Sequence, residues 1–254
     1  MTPLSFVLRE FFHLQFLRHL GLRLAGRDYA LKGGIALRFF HRSARMSEDI
    51  DLDVASRVRR ATLQRAVDSI LGGRAFLAAF AAMGVSRIQF SRPKQTETTQ
   101  RWKIGLAMSR DVAFSTRVEF SRRRDRIECL TGIPDAGVLN AHKVPPFAVR
   151  YYSAHDLAIQ KIRALAAPAR HAVRDLFDLD HLVTMAGVSL ADVRQEVKED
   201  AERAAEKAGR FNLKDFRAQV LPYLPEDLAP ACETAGAFED LKGRVERALI
   251  GILP

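Results

Sequence analysis

Three aspartates stand on alternate residues of one short stretch, DIDLDV, at residues 49–54. Alternate side chains of a β-strand point the same way, so the aspartates would share one face and the apolar residues the other. Asp49 and Asp51 would lie roughly 7 Å apart, and such a pair repels unless a cation relieves it; carboxylate oxygens suit Mg²⁺ or Mn²⁺. The pattern predicts a divalent-metal site. The competing interpretation is an acidic edge strand paired with Arg42 or Arg45.

A glycine pair, Gly33 and Gly34, precedes this strand by about 15 residues and opens a helix-like run. A glycine turn at the start of a helix leaves backbone N–H groups pointing outward, and the helix dipole adds positive potential, so the turn can bind phosphate. The spacing leaves room for one helix and a return to the sheet. A phosphate site and a metal site would then meet at one edge, as Mg²⁺ bridging the phosphates of a nucleotide requires.

A third carboxylate is expected from a neighbouring strand. Glu119 lies in TRVEFS at residues 116–121 and faces away from the apolar residues beside it. With Asp49 and Asp51 it would complete a two-metal site for in-line displacement at phosphorus. The alternative is a surface glutamate between arginines.

A basic run, SRRRDR, follows at residues 121–126. Consecutive arginines beside a phosphate-transfer site suit an RNA backbone or a triphosphate. A solvated loop explains the same run equally well.

The secondary-structure pattern that must position these residues differs between the two halves of the chain. The first half alternates helical and strand-like periodicity, which predicts an α/β (α+β) domain with a mixed sheet flanked by helices. The second half is predicted to be mostly α-helical. The chain therefore divides into domains at 1–150 and 151–254. The predicted helices are 4–25, 58–83 with a break near Gly72–Gly73, one from Ser153 to Pro168, two ending at Gly187 and Gly209, and shorter ones around 212–221 and 237–252; the predicted strands include 29–31, 49–54, 85–91, 101–108 and 116–121.

The composition limits the classes of partner and the compartment that we expect for this protein. The chain has 254 residues, a formal net charge of +10 and a pI of about 10.0, a balance typical of proteins that meet polyanions. Cys129 and Cys232 are far apart and outside any metal-binding spacing, which argues against a disulfide framework or a zinc cluster. We find neither a convincing signal peptide nor an apolar run of about 18 residues, so we expect a cytoplasmic protein that does not contact a membrane.

These motifs together resemble a known family. LKGGIALRFFHRSARMSEDIDLDV at residues 31–54 is similar to the opening motifs of the AbiEii/AbiGii nucleotidyltransferase toxins, in which Lys-Gly-Gly, a helix and a Ser-x-Asp-Ile-Asp-Leu strand follow in order. LAIQKIRAL at residues 157–165 and RDLFDL at 174–179 resemble the family's lysine-containing helix and its Arg-Asp-Leu-x-Asp helix. The ordered set spans residues 31–180.

The resemblance implies a polymerase-β-like nucleotidyltransferase domain over 1–150, and a helical domain over 151–254 that closes the nucleotide cleft. It implies a nucleoside triphosphate (NTP) as substrate, with Mg²⁺ or Mn²⁺. It also implies the toxin of a toxin–antitoxin or phage-defence pair, with an antitoxin protein as partner. RNA is the favoured acceptor, since some relatives add nucleotides to tRNA. The base of the NTP stays open.

Carried over by position, the resemblance also implies roles for single residues. The implied catalytic residues are Asp49, Asp51, Lys161 and Asp175; the implied phosphate- and nucleotide-binding residues are Lys32, Gly33, Gly34 and Arg174; and the implied metal ligands are Asp49 and Asp51, with Glu119 as the candidate third. Arg174 and Asp178 have the spacing of an ordinary helical ion pair, which is the competing explanation for that motif. Ile35 replaces the hydroxyl residue that usually follows the glycines. It supports the alternative function, a degenerate NTP- or RNA-binding sensor module that acts through a protein partner.

Overall fold

The computed structural model describes residues 4–108, 113–122 and 129–253. Of the basic run at 121–126, residues 123–126 lie outside the described residues. Contacts divide the chain into two compact units. Of the described residues, the sheet unit comprises those in 4–40 and 46–152, and the helical unit comprises those in 41–45 and 153–253.

The sheet unit contains a seven-stranded mixed sheet, which confirms the predicted fold class. The strands are β1 Tyr29–Lys32, β2 Asp49–Val54, β3 Val85–Gln95, β4 Thr99–Met108, β5 Ala113–Ser121, β6 Leu130–Gly132 and β7 Val149–Tyr151, in the spatial order β3-β4-β5-β2-β1-β7-β6. The pairs β2–β5 and β1–β7 are parallel, and the others are antiparallel. The aspartate strand β2 lies in the middle of the sheet, so the acidic edge strand considered from the sequence is wrong.

The helices of the sheet unit are α1 Leu4–Gly21, α2 Gly33–Phe40, α3 Arg60–Leu71, α4 Arg74–Ala81 and α5 Ala136–Ala141. The predicted break at Gly72–Gly73 separates α3 from α4. A Cβ at Gly73 would stand 3.0 Å from the carbonyl oxygen of Ser69, so only glycine fits the turn closely. Periodicity did not predict α5, β6 or β7, which are six or fewer residues long and too short to show a clear repeat.

One face of the sheet is apolar and forms the core of this unit. Ile50, Val118 and Trp102 stand in register on β2, β5 and β4, and all three are fully buried. Trp102 Nε1 donates to Asp68 of α3 at 3.0 Å, so α3 covers this face. The period-two pattern of the strands therefore sends the intervening polar residues to the opposite face.

Buried polar groups fix the first two helices. Glu10 of α1 accepts hydrogen bonds from Arg38 of α2 at 2.8 Å and from His142 at 2.9 Å. Burial alone would raise the pKa of Glu10, but the bonds from His142 and Arg38 lower it to about 2. Burial lowers the pKa of His13 to about 3, and its Nε2 lies 3.0 Å from Thr116 Oγ1. The helix that follows the glycine pair is therefore held by a satisfied ion pair.

The helical unit consists mainly of α6 Ala154–Ala166, α7 Val173–Thr184, α8 Arg194–Val197, α9 Ala201–Arg210, α10 Leu213–Gln219, α11 Ala229–Cys232 and α12 Ala235–Ile250. Ser153 caps α6 by accepting from the Asp156 amide at 3.1 Å. Along the described residues, no helix is both long and apolar enough to cross a membrane.

The single helix predicted to end at Gly209 is wrong. The segment divides into a 3₁₀ turn at Leu190–Val193, then α8 and α9. The division follows the packing, because α8 contacts α6 whereas α9 contacts both α6 and α12. Buried Val197 ends the first part and buried Ala201 begins the next, so the apolar spacing of four residues continues across the break and could not reveal it.

Candidate active site

The polar face of the sheet carries a row of charged side chains that crosses several strands. Asp51 on β2 stands opposite Lys32 on β1 and opposite Glu119 on β5. Glu119 in turn stands opposite Arg101 on β4, and Arg101 Nε lies 2.5 Å from the Glu119 carboxylate. The register thus places two predicted metal ligands, Asp51 and Glu119, opposite each other on neighbouring strands. It also pairs Glu119 with the guanidinium of Arg101.

A second row runs beside the first. Asp49 stands opposite Arg117 on β5, and an Arg117 terminal nitrogen lies 2.7 Å from Asp49 Oδ2. The Nε of Arg117 is buried and makes no hydrogen bond within the described part of the chain. The guanidinium therefore has donor capacity beyond its pairing with Asp49.

The third aspartate of β2 differs from the other two in its surroundings. Asp53 is buried, with Lys32 Nζ 2.5 Å from one carboxylate oxygen and Tyr152 Oη 2.8 Å from the other. The predicted phosphate ligand Lys32 is thus an ion-pair partner of Asp53 in this structure. This pair ties β1 to β2 immediately before the glycine turn.

The glycine turn approaches Asp51 closely. Gly33 has a φ of +70°, in the left-handed region that side chains disfavour. A Cβ at this position would stand 3.1 Å from Asp51 Oδ2. Gly34 is the second residue of α2, and Ile35 after it is buried in the core. The side chain at position 35 therefore packs inward, and the outward-facing donors of the turn come from the backbone.

Replacing Gly33 by alanine tests whether this close approach matters. We expect Gly33→Ala to lower the free energy of unfolding by about 1–2 kcal/mol through backbone strain, and to weaken NTP binding about tenfold or more by displacing Asp51. The matched control is Gly187→Ala, since Gly187 has a φ of +69° but open space around its Cβ position. Urea unfolding should show similar losses in both variants. Calorimetric titration with NTP should show weaker binding in Gly33→Ala alone, and equal affinities would contradict the expectation.

The predicted residues of the second half lie in a buried ion cluster of the helical unit. Lys161 Nζ lies 2.7 Å from Asp175 and 2.6 Å from Asp178. Arg45 donates to both carboxylate oxygens of Asp178, each at 2.8 Å, and Arg170 Nε lies 2.5 Å from Asp175. The cluster therefore joins α6, α7 and the 41–45 segment.

The electrostatics of this cluster favour its charged form. Burial alone would lower the pKa of Lys161, but Asp175 and Asp178 reverse the shift and raise that pKa. Burial would raise the pKa of each aspartate, but Lys161 and Arg170 lower that of Asp175, and Arg45 and Lys161 lower that of Asp178. All the charges have partners, as buried charges must to avoid a large desolvation cost.

Arg174, the remaining predicted residue, is half-buried on α7. The carboxylate of Asp178, four residues further on, binds Arg45 and Lys161. Those two contacts compensate the buried charge of Asp178, so an ion pair with Arg174 is not needed to account for it.

The polar face can be tested for its fit to a divalent cation. Among the described residues, no group of three or more His, Cys, Asp and Glu side chains is arranged to hold a metal ion. Asp49 and Asp51 project from one face of β2. Asp51 lies beside the glycine turn, and a Cβ on Gly33 would fill the space between the turn and the Asp51 carboxylate. Mg²⁺ is commonly bound by one or two carboxylates together with substrate phosphates. The two aspartates therefore fit a cation that binds with a nucleotide.

Sequence reasoning missed several residues that contact the predicted ones or, like Tyr152, the third aspartate of β2; Arg101, which contacts Glu119, is another. Arg117 was detectable, because it stands two residues before Glu119 on a strand of period two and must share its face. Tyr152 and Arg170 were not detectable, because their contacts with Asp53 and Asp175 depend on tertiary packing.

Comparison with known proteins decides the family. The sequence model of the family described as "Nucleotidyl transferase AbiEii toxin, Type IV TA system" matches residues 15–235. The chain belongs to this family. It is therefore an AbiEii nucleotidyltransferase of the toxin–antitoxin type, as the motifs between residues 31 and 180 predicted. No curated protein matches the sequence significantly.

Solved structures support the fold of this AbiEii chain. JHP933 from Helicobacter pylori superposes with a TM-score of 0.60 at 18% identity, covering 99% of this chain and 96% of that one. MenT4, a nucleotidyltransferase toxin from Mycobacterium tuberculosis, gives a TM-score of 0.55 at 16% identity, covering 98% and 94%. At these identities the likeness establishes the shared fold over nearly the whole chain.

Proposed function

We propose that this AbiEii protein transfers a nucleoside monophosphate from an NTP to a hydroxyl of an RNA acceptor, tRNA being one candidate, and releases pyrophosphate. Its activity would depend on Mg²⁺ or Mn²⁺, and an antitoxin protein would counter it. The observation that carries the proposal is the close approach of the helix-opening Gly33 to Asp51, where a Cβ on Gly33 would stand 3.1 Å from the carboxylate. This close approach supports a site in which backbone donors of the glycine turn would bind phosphate beside the carboxylates that would hold a cation.

The residues of the sheet unit divide the work. Backbone N–H groups of the Gly33–Gly34 turn, aided by the dipole of α2, would bind the triphosphate. Asp49 and Asp51 would hold the cation, which when bound stabilises charge on the transferring phosphoryl group and makes the attacking hydroxyl easier to deprotonate. Arg117 restrains Asp49 in the structure described here, and Lys32 restrains Asp53.

The roles of Glu119, Lys161, Asp175 and Arg174 stay predictions. Glu119 has the right register for a third ligand and would have to exchange Arg101 for the cation. Lys161 and Asp175 contact each other within the helical unit, so their first contribution is to fix α6 against α7. A catalytic contribution would appear as a loss of turnover in excess of any loss of stability.

RNA is favoured as the acceptor because of charge. The chain has a net charge of +10, and cations continue across the polar face from Asp49 and Asp51 onto β5 and β4. A polyanion is the acceptor that such a surface attracts. A neutral small molecule would gain nothing from it.

The direct test is a transfer assay. Purified protein is incubated with total RNA and each of the four α-labelled NTPs, with Mg²⁺, with Mn²⁺, or with chelator in excess. We expect label in RNA with at least one NTP, and none when the cation is removed. Absence of label from RNA under every condition would refute RNA nucleotidyl transfer.

A second function is favoured by one specific observation. The core position of Ile35 leaves the turn without the side-chain hydroxyl that would assist phosphate binding. A sensor that binds NTP or RNA and acts through a protein partner tolerates that loss. This function predicts binding of NTP or RNA without turnover on any acceptor, whereas the enzyme function predicts both binding and turnover.

A further inference from the structure

The outer strands of the sheet carry an uneven distribution of charge. On the face that bears Asp49 and Asp51, the described residues of β3, β4 and β5 contribute five cationic side chains and one carboxylate, Glu119. The cations, here called the basic face, are Arg87, Lys94, Arg101, Lys103 and Arg117. The basic face begins one strand away from the aspartates.

The registers make the basic face continuous. Along one row, Arg117 is followed by Lys103 on β4 and by Ser91 on β3. Along the other, Arg101 is followed by Lys94 on β3. Neighbouring strands lie about 4.8 Å apart, so Arg117 stands about 5 Å and Lys103 about 10 Å from the aspartate strand. The cations therefore form a track that leads away from the aspartates toward the sheet edge.

The outer cations face solvent. Arg87, Lys94 and Lys103 are exposed, whereas Arg101 and Arg117, which bind Glu119 and Asp49, are half-buried. The opposite face of β4 is buried in the core, where Trp102 and Ile104 lie, whereas that of β3 is only partly covered. Five of the six cationic side chains of β3, β4 and β5 thus lie on the face that bears the aspartates, and the sixth, Arg92, pairs with Asp68 of α3 on the other side.

We propose that the basic face binds the sugar–phosphate backbone of the RNA acceptor and leads its reactive end to Asp49 and Asp51. The inference rests on the proposed transfer to RNA. Within the described parts of β3, β4 and β5, this face presents no aromatic side chain on which a base would stack. Recognition here is therefore by charge and independent of base sequence.

The test is a charge reversal at the outer end of the track. The variant is Lys94→Glu/Lys103→Glu, which leaves Arg101 and Arg117 in place. The matched control is Arg65→Glu/Arg74→Glu, which makes the same change in net charge at exposed positions on α3 and α4. Helix α3 covers the opposite, apolar face of the sheet, where its Asp68 accepts a hydrogen bond from Trp102. The probes are two single-stranded RNAs of about 20 nucleotides and unrelated sequence, measured by filter binding over a salt series.

We expect the track variant to raise the Kd for both RNAs about tenfold or more, and to reduce the slope of log Kd against log salt by about two. The control should change the Kd less than about threefold, and calorimetric NTP binding should be unchanged in both. Equal losses in the two variants, unchanged binding in the track variant, or no RNA binding by wild type would overturn the inference. Unchanged RNA binding would leave the face to an acidic protein partner.

This test separates two failures. RNA binding is measured without turnover, so a protein that binds RNA through the track but transfers no label contradicts only the proposed reaction. A protein that labels RNA equally well with and without the track charges contradicts only the proposed path. Thermal unfolding of both variants shows whether either reversal has disturbed the fold.

Discussion

Asp51→Asn is expected to reduce nucleotide transfer at least about a thousandfold, equivalent to about 4 kcal/mol of transition-state stabilisation. Asn keeps the shape of Asp but removes the charge that a divalent cation requires. The same substitution keeps an oxygen that can accept hydrogen bonds, so we expect the free energy of unfolding to change by about 1 kcal/mol or less. Transfer is measured with the labelled NTP assay and stability by urea unfolding.

The matched control is Asp53→Asn, on the same face of the same strand. Asp53 binds Lys32 and Tyr152, so its loss should lower stability while reducing transfer far less than Asp51→Asn does. Asp51→Asn should thus mainly lower transfer, whereas Asp53→Asn should mainly lower stability. If transfer fell equally in both, or fell only in proportion to lost stability, Asp51 would have no special part in the reaction.

Asp178→Ala is expected to destabilise the protein by about 3–5 kcal/mol. Removing one partner of a buried ion pair leaves the other charge without compensation, and here two cations, Arg45 and Lys161, would lose a carboxylate together. Asp180→Ala is the control on the same helix. Asp180 is buried and accepts two hydrogen bonds from Arg244, but the Arg244 side chain is 42% exposed and can be hydrated once the carboxylate is removed, so we expect a loss of about 1–2 kcal/mol. Comparable losses in urea unfolding would contradict this account of the cluster.

The pH dependence gives a second measurement on the same variants. The pKa of Asp178 is lowered in the folded protein, so its contribution to stability is present above the pKa of an unfolded aspartate and is lost as pH falls through the folded value. Wild type should therefore lose stability below about pH 4. Asp178→Ala should show a shallower loss. An identical pH profile would mean that Asp178 is not held ionised by Arg45 and Lys161.

The sequence predicted those parts of the fold that depend on local periodicity. The alternation of DIDLDV places three aspartates on one face of a strand, and the glycine pair marks the start of α2, as the structure has them. Both features involve neighbours in the chain. The alternation of side chains along a strand and the start of a helix are both decided within a few residues, where steric preference and hydrophobic patterning act.

The sequence could not predict the partners of the charged residues. Whether Lys32 reaches Asp53 depends on the antiparallel register of β1 against β2. Arg45 and Asp178 are separated by 133 residues, and no local pattern links them. The sequence suggested Arg45 as a partner for the aspartate strand because both lie in one motif. Proximity along the chain was the wrong guide there, since a buried carboxylate elsewhere in the fold competes for the same guanidinium.

The membership of residues 41–45 in the helical unit has a consequence for protein synthesis. Arg45 leaves the ribosome long before Asp178, and domains generally fold in the order in which they are made. Until α7 is translated, the guanidinium lacks the Asp178 carboxylate, and the connection that leads into β2 lacks this anchor. A nascent AbiEii chain therefore fixes the approach to its own aspartate strand only after α7 has been made.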